Sequence, residues 1–138
     1  MCIVGAGSGG EFDDGGTGGK ESEVAGYGGV TMEFEISAGQ VKALQKTGEA
    51  FTLLDVREPW EFETARIEGA KNIPMGDVPV RAHQELDPDE HIVVVCHHGV
   101  RSLTVTNWLR QQGFEKVQSM RGGIDGWART VDPKVPLY

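Results

Sequence analysis

The pattern of hydrophobic and polar positions divides this chain near residue 30. From Gly5 to Gly29 the sequence is crowded with glycine and acidic residues and shows almost no aliphatic periodicity. Such a stretch buries too little apolar surface to offset its ordering entropy, so residues 1–30 read as a glycine-rich, disordered extension. Gly5-Ala-Gly7-Ser-Gly9-Gly10 has the outline of a dinucleotide-binding loop, but no convincing strand precedes it and no helix follows, and that reading is set aside. Residues 31–138 carry a regular pattern and read as one domain.

Within that domain strands and helices alternate. Glu33 to Ile36 predicts a short edge strand. Ser37-Ala-Gly-Gln40 is a capping-box sequence opening a helix through Val41, Leu44 and Gln45, with Gly48 as its stop. Phe51 to Val56 predicts a buried strand. Pro59 stands where a helix start tolerates a missing N–H, and that short helix ends near Ala65. Ala70 to Ile73 predicts a brief strand closed by Pro74. Asp77 is placed to cap a helix through Val80 and Leu86, ended by Pro88. Ile92-Val-Val-Val95 is continuously apolar, as suits a central parallel strand covered on both faces. Cys96 to Arg101 predicts a loop. Ser102 to Gln112 predicts a helix with Leu103, Thr106 and Leu109 to one side and Gly113 at its end. Val117 to Met120 predicts another strand, Gly122-Gly123 a turn, and Ile124 to Arg129 a last short helix. This alternation predicts an α/β fold with a central parallel sheet.

Composition narrows the function. Asp and Glu number 21 against 13 Lys and Arg, giving formal charge −8. That balance argues against broad nucleic-acid binding, which wants basic patches. No apolar run approaches the roughly 20 residues that span a bilayer. The opening Met1-Cys-Ile-Val-Gly has the basic residues of neither a secretory signal nor a transit peptide. No membrane association and a cytoplasmic location are expected. Of the two cysteines, Cys2 sits in the glycine-rich stretch, where a bridge would staple little, so a free Cys96 is expected in a reducing compartment.

The candidate chemistry lies at Cys96. It follows the central strand directly and precedes a helix, the position where open α/β folds bind ligands. A loop there turns backbone N–H groups inward, and with the helix dipole these favour a thiolate. Arg101 adds a positive charge at the loop's end, and His97 and His98 add donors or cations. The pattern predicts a nucleophilic cysteine inside an anion cradle. No second cluster of metal ligands accompanies the two histidines, and no metal or cofactor is expected.

These residues resemble a known family. Cys96-His97-His98-Gly99-Val100-Arg101-Ser102 is similar to the active-site loop of rhodanese domains. Leu54-Asp55-Val56-Arg57-Glu58-Pro59-Trp60-Glu61-Phe62 resembles the family's first signature, Ile67 to Pro74 its second, and Gly122-Gly-Ile-Asp-Gly-Trp127 its closing one. The likeness runs from about Ile36 to the end of the chain. One departure stands out: Ala65-Arg66 occupies the place where the family usually has Gly-His.

The resemblance implies a three-layer α/β/α rhodanese-like fold and a sulfurtransferase. A donor such as thiosulfate would give its outer sulfur to Cys96 as a persulfide, held by the N–H groups of the loop His97, His98, Gly99, Val100 and Ser102. A thiophilic acceptor (cyanide, a small thiol or a protein thiol) would then remove it. Arg101 would bind the anionic donor or orient the loop. Asp55 and Arg57 would either shape the pocket or form a structural salt bridge. Trp60 and Trp127 are expected in rim or core packing. The end of the chain, Trp127 to Tyr138, resembles rhodanese domains that lie behind the adenylating enzymes of molybdopterin and thiamine biosynthesis, which implies a sulfur-carrier protein as a further partner.

Two other classes compete. Phosphatases and arsenate reductases that share the fold use a loop one residue longer. Here four residues, His97 to Val100, separate Cys96 from Arg101. A ring of N–H donors that short suits one sulfur atom better than a phosphate. A non-catalytic interaction module is disfavoured because Cys96 and Arg101 are both present.

Overall fold

The computed structural model describes residues 32–138 together with the backbone of Ala6–Gly7 and Gly9–Gly10. The chain divides into Met1–Glu33 and Phe34–Tyr138. In the first unit, Ala6–Gly7 and Gly9–Gly10 pair as two parallel two-residue strands. The expected disordered extension and Cys2 otherwise lie outside the described residues.

The second unit is an α/β domain. Strands β1 (Glu35–Ile36), β2 (Thr52–Asp55), β3 (Lys71–Asn72), β4 (Ile92–Val95) and β5 (Val117–Met120) alternate with helices α1 (Ala38–Thr47), α2 (Pro59–Thr64), α3 (Val78–Glu85), α4 (Val100–Gln111) and α5 (Gly123–Thr130). The strands form one five-stranded sheet in the order β1-β5-β4-β2-β3. Every pairing is parallel. Parallel strands need crossover connections, and the helices supply them on both faces.

Strand periodicity sorts the core into two layers. Leu53, Val93, Val95 and Met120 face Val41 of α1 and Ile124, Trp127 and Ala128 of α5. Leu54, Ile92, Val94 and Val117 face Val78 and Ala82 of α3 and Val105 and Leu109 of α4. All four residues of β4 are buried, which is why its sequence is apolar without alternation. The three-layer α/β/α arrangement follows.

Local signals explain most boundaries. Ser37 Oγ accepts from Gln40 N at 3.1 Å and Gln40 Oε1 accepts from Ser37 N at 3.0 Å, closing the expected capping box. Gly48 ends α1 in the left-handed region, φ 74°.

Four details differ from the expectation. The helix after the cysteine loop begins at Val100, so Arg101 lies in its first turn and the loop proper is Cys96–Gly99. Gly99, at φ 109°, makes the turn into the helix earlier than the side-chain pattern suggests. Asp77 makes no side-chain cap, because a 3-10 turn at Met75–Asp77 delivers the chain into α3 already helical. Helix α3 stops at Glu85, before Pro88 acts. On α4 the buried stripe is Ser102, Val105, Thr106 and Leu109, with Leu103 only half-buried.

Candidate active site

Cys96 leaves the carboxyl end of β4 and is buried, with 1% of its surface exposed. Its Sγ accepts hydrogen bonds from Gly99 N at 3.0 Å and Ser102 N at 3.3 Å. Sγ also lies 3.4 Å from Ser102 Oγ. That hydroxyl is itself set by Gly99 O at 3.2 Å and Ser119 Oγ at 2.7 Å. The loop therefore wraps the sulfur with its own amides, and β5 contributes Ser119 to hold the wrap.

The opposite side of the loop is fixed too. Ile124 N donates to Cys96 O at 2.8 Å, and Asp125 N donates to His97 O at 3.0 Å. These are first-turn donors of α5, which have no partner within their own helix. With its carbonyls turned to α5, the loop presents its N–H groups to the sulfur. The Gly122-Gly123 turn makes this approach possible. A Cβ on Gly123, whose φ is 61°, would stand 2.5 Å from Cys96 O, and one on Gly99 would stand 3.3 Å from Gly122 N.

Arg101 does not point freely into the loop. Its guanidinium meets Glu61 end-on, Nη1 to Oε1 at 2.9 Å and Nη2 to Oε2 at 3.0 Å. The bond from Arg101 holds the Glu61 carboxyl down to about 2, against the opposing effect of its burial; the Glu58 amide and the Tyr138 hydroxyl assist. In return, the Glu61 hydrogen bond raises the Arg101 pKa.

Behind Glu61 lies a second pair. Arg57, wholly buried, donates Nε to both carboxylate oxygens of Asp55 and Nη2 to Oδ2 at 2.7 Å. It also donates to the carbonyls of Glu61 and Ala65 at the end of α2. Burial opposes its charge, and the bonds to Asp55 and Tyr138 more than restore it. Asp55 and Arg57 thus tie α2 to β2. Their hydrogen bonds make them the anchor of Glu61, and none of these bonds goes to the sulfur.

Tyr138 joins the two pairs. Its hydroxyl accepts from Arg57 Nη1 at 2.7 Å and donates to Glu61 Oε2 at 2.9 Å. Its ring stacks on His97, with centroids 4.1 Å apart and planes 6° from parallel, and His98 stacks on the other face of His97 at 4.0 Å. Burial, then His98, lowers the pKa of His97. Burial raises that of Tyr138.

Of the expected site residues, Cys96, Gly99, Arg101 and Ser102 converge, and His97 and His98 line the same loop. Val100 is exposed and contributes no side-chain contact to the sulfur. Arg66 is exposed and lies over the Phe62 ring at 5.0 Å. Trp127 is core, while Trp60 is exposed with its edge to Tyr138, 6.0 Å away. Sequence reasoning missed Glu61 and Tyr138.

His97, His98 and Asp125 place metal-ligating atoms within 4.8 Å of one another. A metal must lie in the plane of each imidazole it binds, and two stacked rings at 23° share no such nearby point. Asp125 is meanwhile engaged by Arg129 at 2.9 Å. The trio as arranged is a stacked column beside the loop, without the convergence of a metal centre.

Comparison with known proteins gives one consistent answer. Residues 37–130 match the rhodanese-like domain family. Thiosulfate sulfurtransferase GlpE of Glaesserella parasuis is 34% identical over 99 residues, covering 72% of this chain and 90% of that protein. Adenylyltransferase and sulfurtransferase MOCS3-1 of Zea mays is 32% identical over 109 residues, covering 75% of this chain and 23% of that protein. The crystal structure of a rhodanese-related protein from Thermoplasma volcanium superposes with TM-score 0.65 at 32% identity, covering 77% of this chain and all of that one. The chain spans only part of several longer relatives, 30% of one from Arabidopsis thaliana and 50% of one from Bacillus subtilis.

Proposed function

The chain belongs to the rhodanese-like domain family, and from that premise we propose that it is a sulfurtransferase in which Cys96 carries the transferred sulfur as a persulfide. The observation that carries this reading is the convergence of Gly99 N and Ser102 N on Cys96 Sγ. Backbone amides aimed at one sulfur atom, in a loop that cannot turn them away, are donors for a sulfur anion.

The chemistry follows from that geometry. The Cys96 sulfur attacks the outer sulfur of a donor such as thiosulfate. The donor's S–S bond breaks, and sulfite leaves with the bonding pair. A thiophile (a small thiol, a protein thiol or cyanide) then attacks the outer sulfur of the persulfide, and Sγ departs with the pair. The same two amides stabilise Sγ as nucleophile in the first step and as leaving group in the second. Arg101 lies at the side of the loop, available to an anionic donor through whatever N–H groups Glu61 leaves open. His97, His98 and Val100 form the rim; Asp55 and Arg57 support it through Glu61. Efficient hydrolysis of aryl phosphates is not expected, because among the described residues two backbone amides, Gly99 N and Ser102 N, reach the nucleophile.

A second reading, relay of the sulfur to a sulfur-carrier protein, is favoured by the likeness to the Zea mays adenylyltransferase and sulfurtransferase. The segment that resembles such proteins ends in Tyr138, whose hydroxyl joins Arg57 to Glu61. A cytoplasmic location belongs to the proposal as well; among the described residues no helix is long and apolar enough to cross a membrane.

The test is intact mass spectrometry after treatment with thiosulfate or another sulfur donor. The expected result is a reducible gain of one sulfur, retained in Cys2→Ser and lost in Cys96→Ser. Failure of the wild type to gain sulfur from any donor would end the proposal.

A further inference from the structure

Each guanidinium near Cys96 has its own carboxylate. Arg101 pairs end-on with Glu61 and Arg57 with Asp55. Glu61 is 6% exposed at its side chain and is gripped by Arg101, by the Glu58 amide at 2.9 Å and by Tyr138, so it does not yield its place easily. Asp125, on the His97 side of the loop, is likewise paired with Arg129. An arginine held end-on has used one N–H from each Nη. The Nε–H of Arg101 makes no hydrogen bond among the described residues, so a donor meets one open edge of a guanidinium whose charge is already matched.

This balance bears on which donors the site takes. Thiosulfate is a dianion, and holding it desolvated requires surplus positive charge. A hydropersulfide, R–S–SH, reacts through a neutral S–SH group, and that group needs only the backbone amides around Cys96 Sγ. We infer that the preferred sulfur donor is the hydropersulfide of a small or protein thiol rather than a dianion, and that Glu61 is the residue that sets this preference. The inference rests on the sulfur-transfer reading above and narrows its donor.

The step balances. Cys96 Sγ attacks the terminal sulfur of R–S–SH, a new Sγ–S bond forms and the donor S–S bond breaks. R–S⁻ leaves with the pair, and the transferred sulfur keeps its proton. Glu61 takes no part in bond making; it positions Arg101 and cancels its charge.

The experiment compares kcat/KM of the full chain at low ionic strength for glutathione hydropersulfide and for thiosulfate. Wild type is expected to favour the hydropersulfide by about tenfold or more. In Glu61→Gln the KM for thiosulfate is expected to fall about tenfold, from one uncancelled charge near the loop, so that the donor ratio moves toward thiosulfate whatever the change common to both donors. Glu85→Gln, which removes an equal charge from an α3 carboxylate paired with Arg81 of the same helix and Lys71 of β3, should leave the donor ratio alone. Equal or better use of thiosulfate by wild type overturns the inference without any variant. So does a Glu61→Gln protein that changes both donors alike. If Cys96 takes sulfur from no donor, it is the sulfurtransferase reading that fails; if it takes sulfur with no preference, only the inference fails.

Discussion

Gly123 lies against the carbonyl of Cys96 so closely that a single added methyl would stand 2.5 Å from its oxygen. The glycine is needed twice over, for its φ of 61° and for this contact. Gly123→Ala should therefore push the Cys96–Gly99 loop off α5. The expected loss is about 2–4 kcal/mol, combining left-handed strain with a backbone clash. Urea denaturation measures it, and a variant within about 0.5 kcal/mol of wild type would refute the packing argument.

Arg57 and Asp55 form a wholly buried pair, and Arg57 also holds the last carbonyls of α2. Removing one partner leaves the other charged and unmatched in the core. Asp55→Asn and Arg57→Met should each cost about 3–5 kcal/mol. In thermal unfolding, either variant is expected to melt far below wild type.

Glu61 gives the fold a pH signature. Its carboxyl titrates near 2 in the folded chain against an ordinary value of 4.5. A depressed carboxylate contributes stability that is fully present above the unfolded value and is lost as pH falls through the folded one. The window is therefore about 4.5 down to 2, and the contribution is about 3 kcal/mol. Denaturant curves of wild type minus those of Glu61→Gln should converge across that window; a difference constant from pH 6 to pH 2 contradicts the pairing.

Tyr138→Phe keeps the ring that stacks on His97 and removes only the hydroxyl between Arg57 and Glu61. Each of those groups retains other partners, so the loss should be modest, about 1–2 kcal/mol. Replacement by Ala, which also removes the stack, should cost more. Equal midpoints for Phe and Ala would show that the ring contributes nothing.

Much of this architecture can be read from residue order. The unbroken apolar run Ile92–Val95 announces a strand covered on both sides, and Ser37 with Gln40 announces the start of α1. The loop Cys96 to Ser102 announces a sulfur cradled before a helix. What could not be read is the company Arg101 keeps. Glu61 is 40 residues away in sequence, and Tyr138 is 77 residues beyond Glu61. Only the fold brings them together, and no local periodicity encodes such a pairing. A partial signal did exist: Glu61 stands three residues after Glu58 at the opening of α2, a capping position that explains an acid there without naming its partner. The exact start of α4 was hidden for another reason. It depends on the backbone angle of Gly99, which side-chain pattern does not report.

The carbonyls of Cys96 and His97 are committed to α5, and this has a consequence for motion. A peptide group flips only if the bond held at either end is broken. Here the Cys96–His97 and His97–His98 peptides are held by their carbonyls to Ile124 and Asp125, and the next peptide, His98–Gly99, is held by its amide to the sulfur, as is the amide of Ser102. Loops usually trade their amide protons with solvent quickly, because they open without disturbing anything else. In this one the Gly99 and Ser102 protons should exchange on the slow clock of β4 rather than the fast clock of the surface, so that the cysteine's surroundings open only when the sheet itself does.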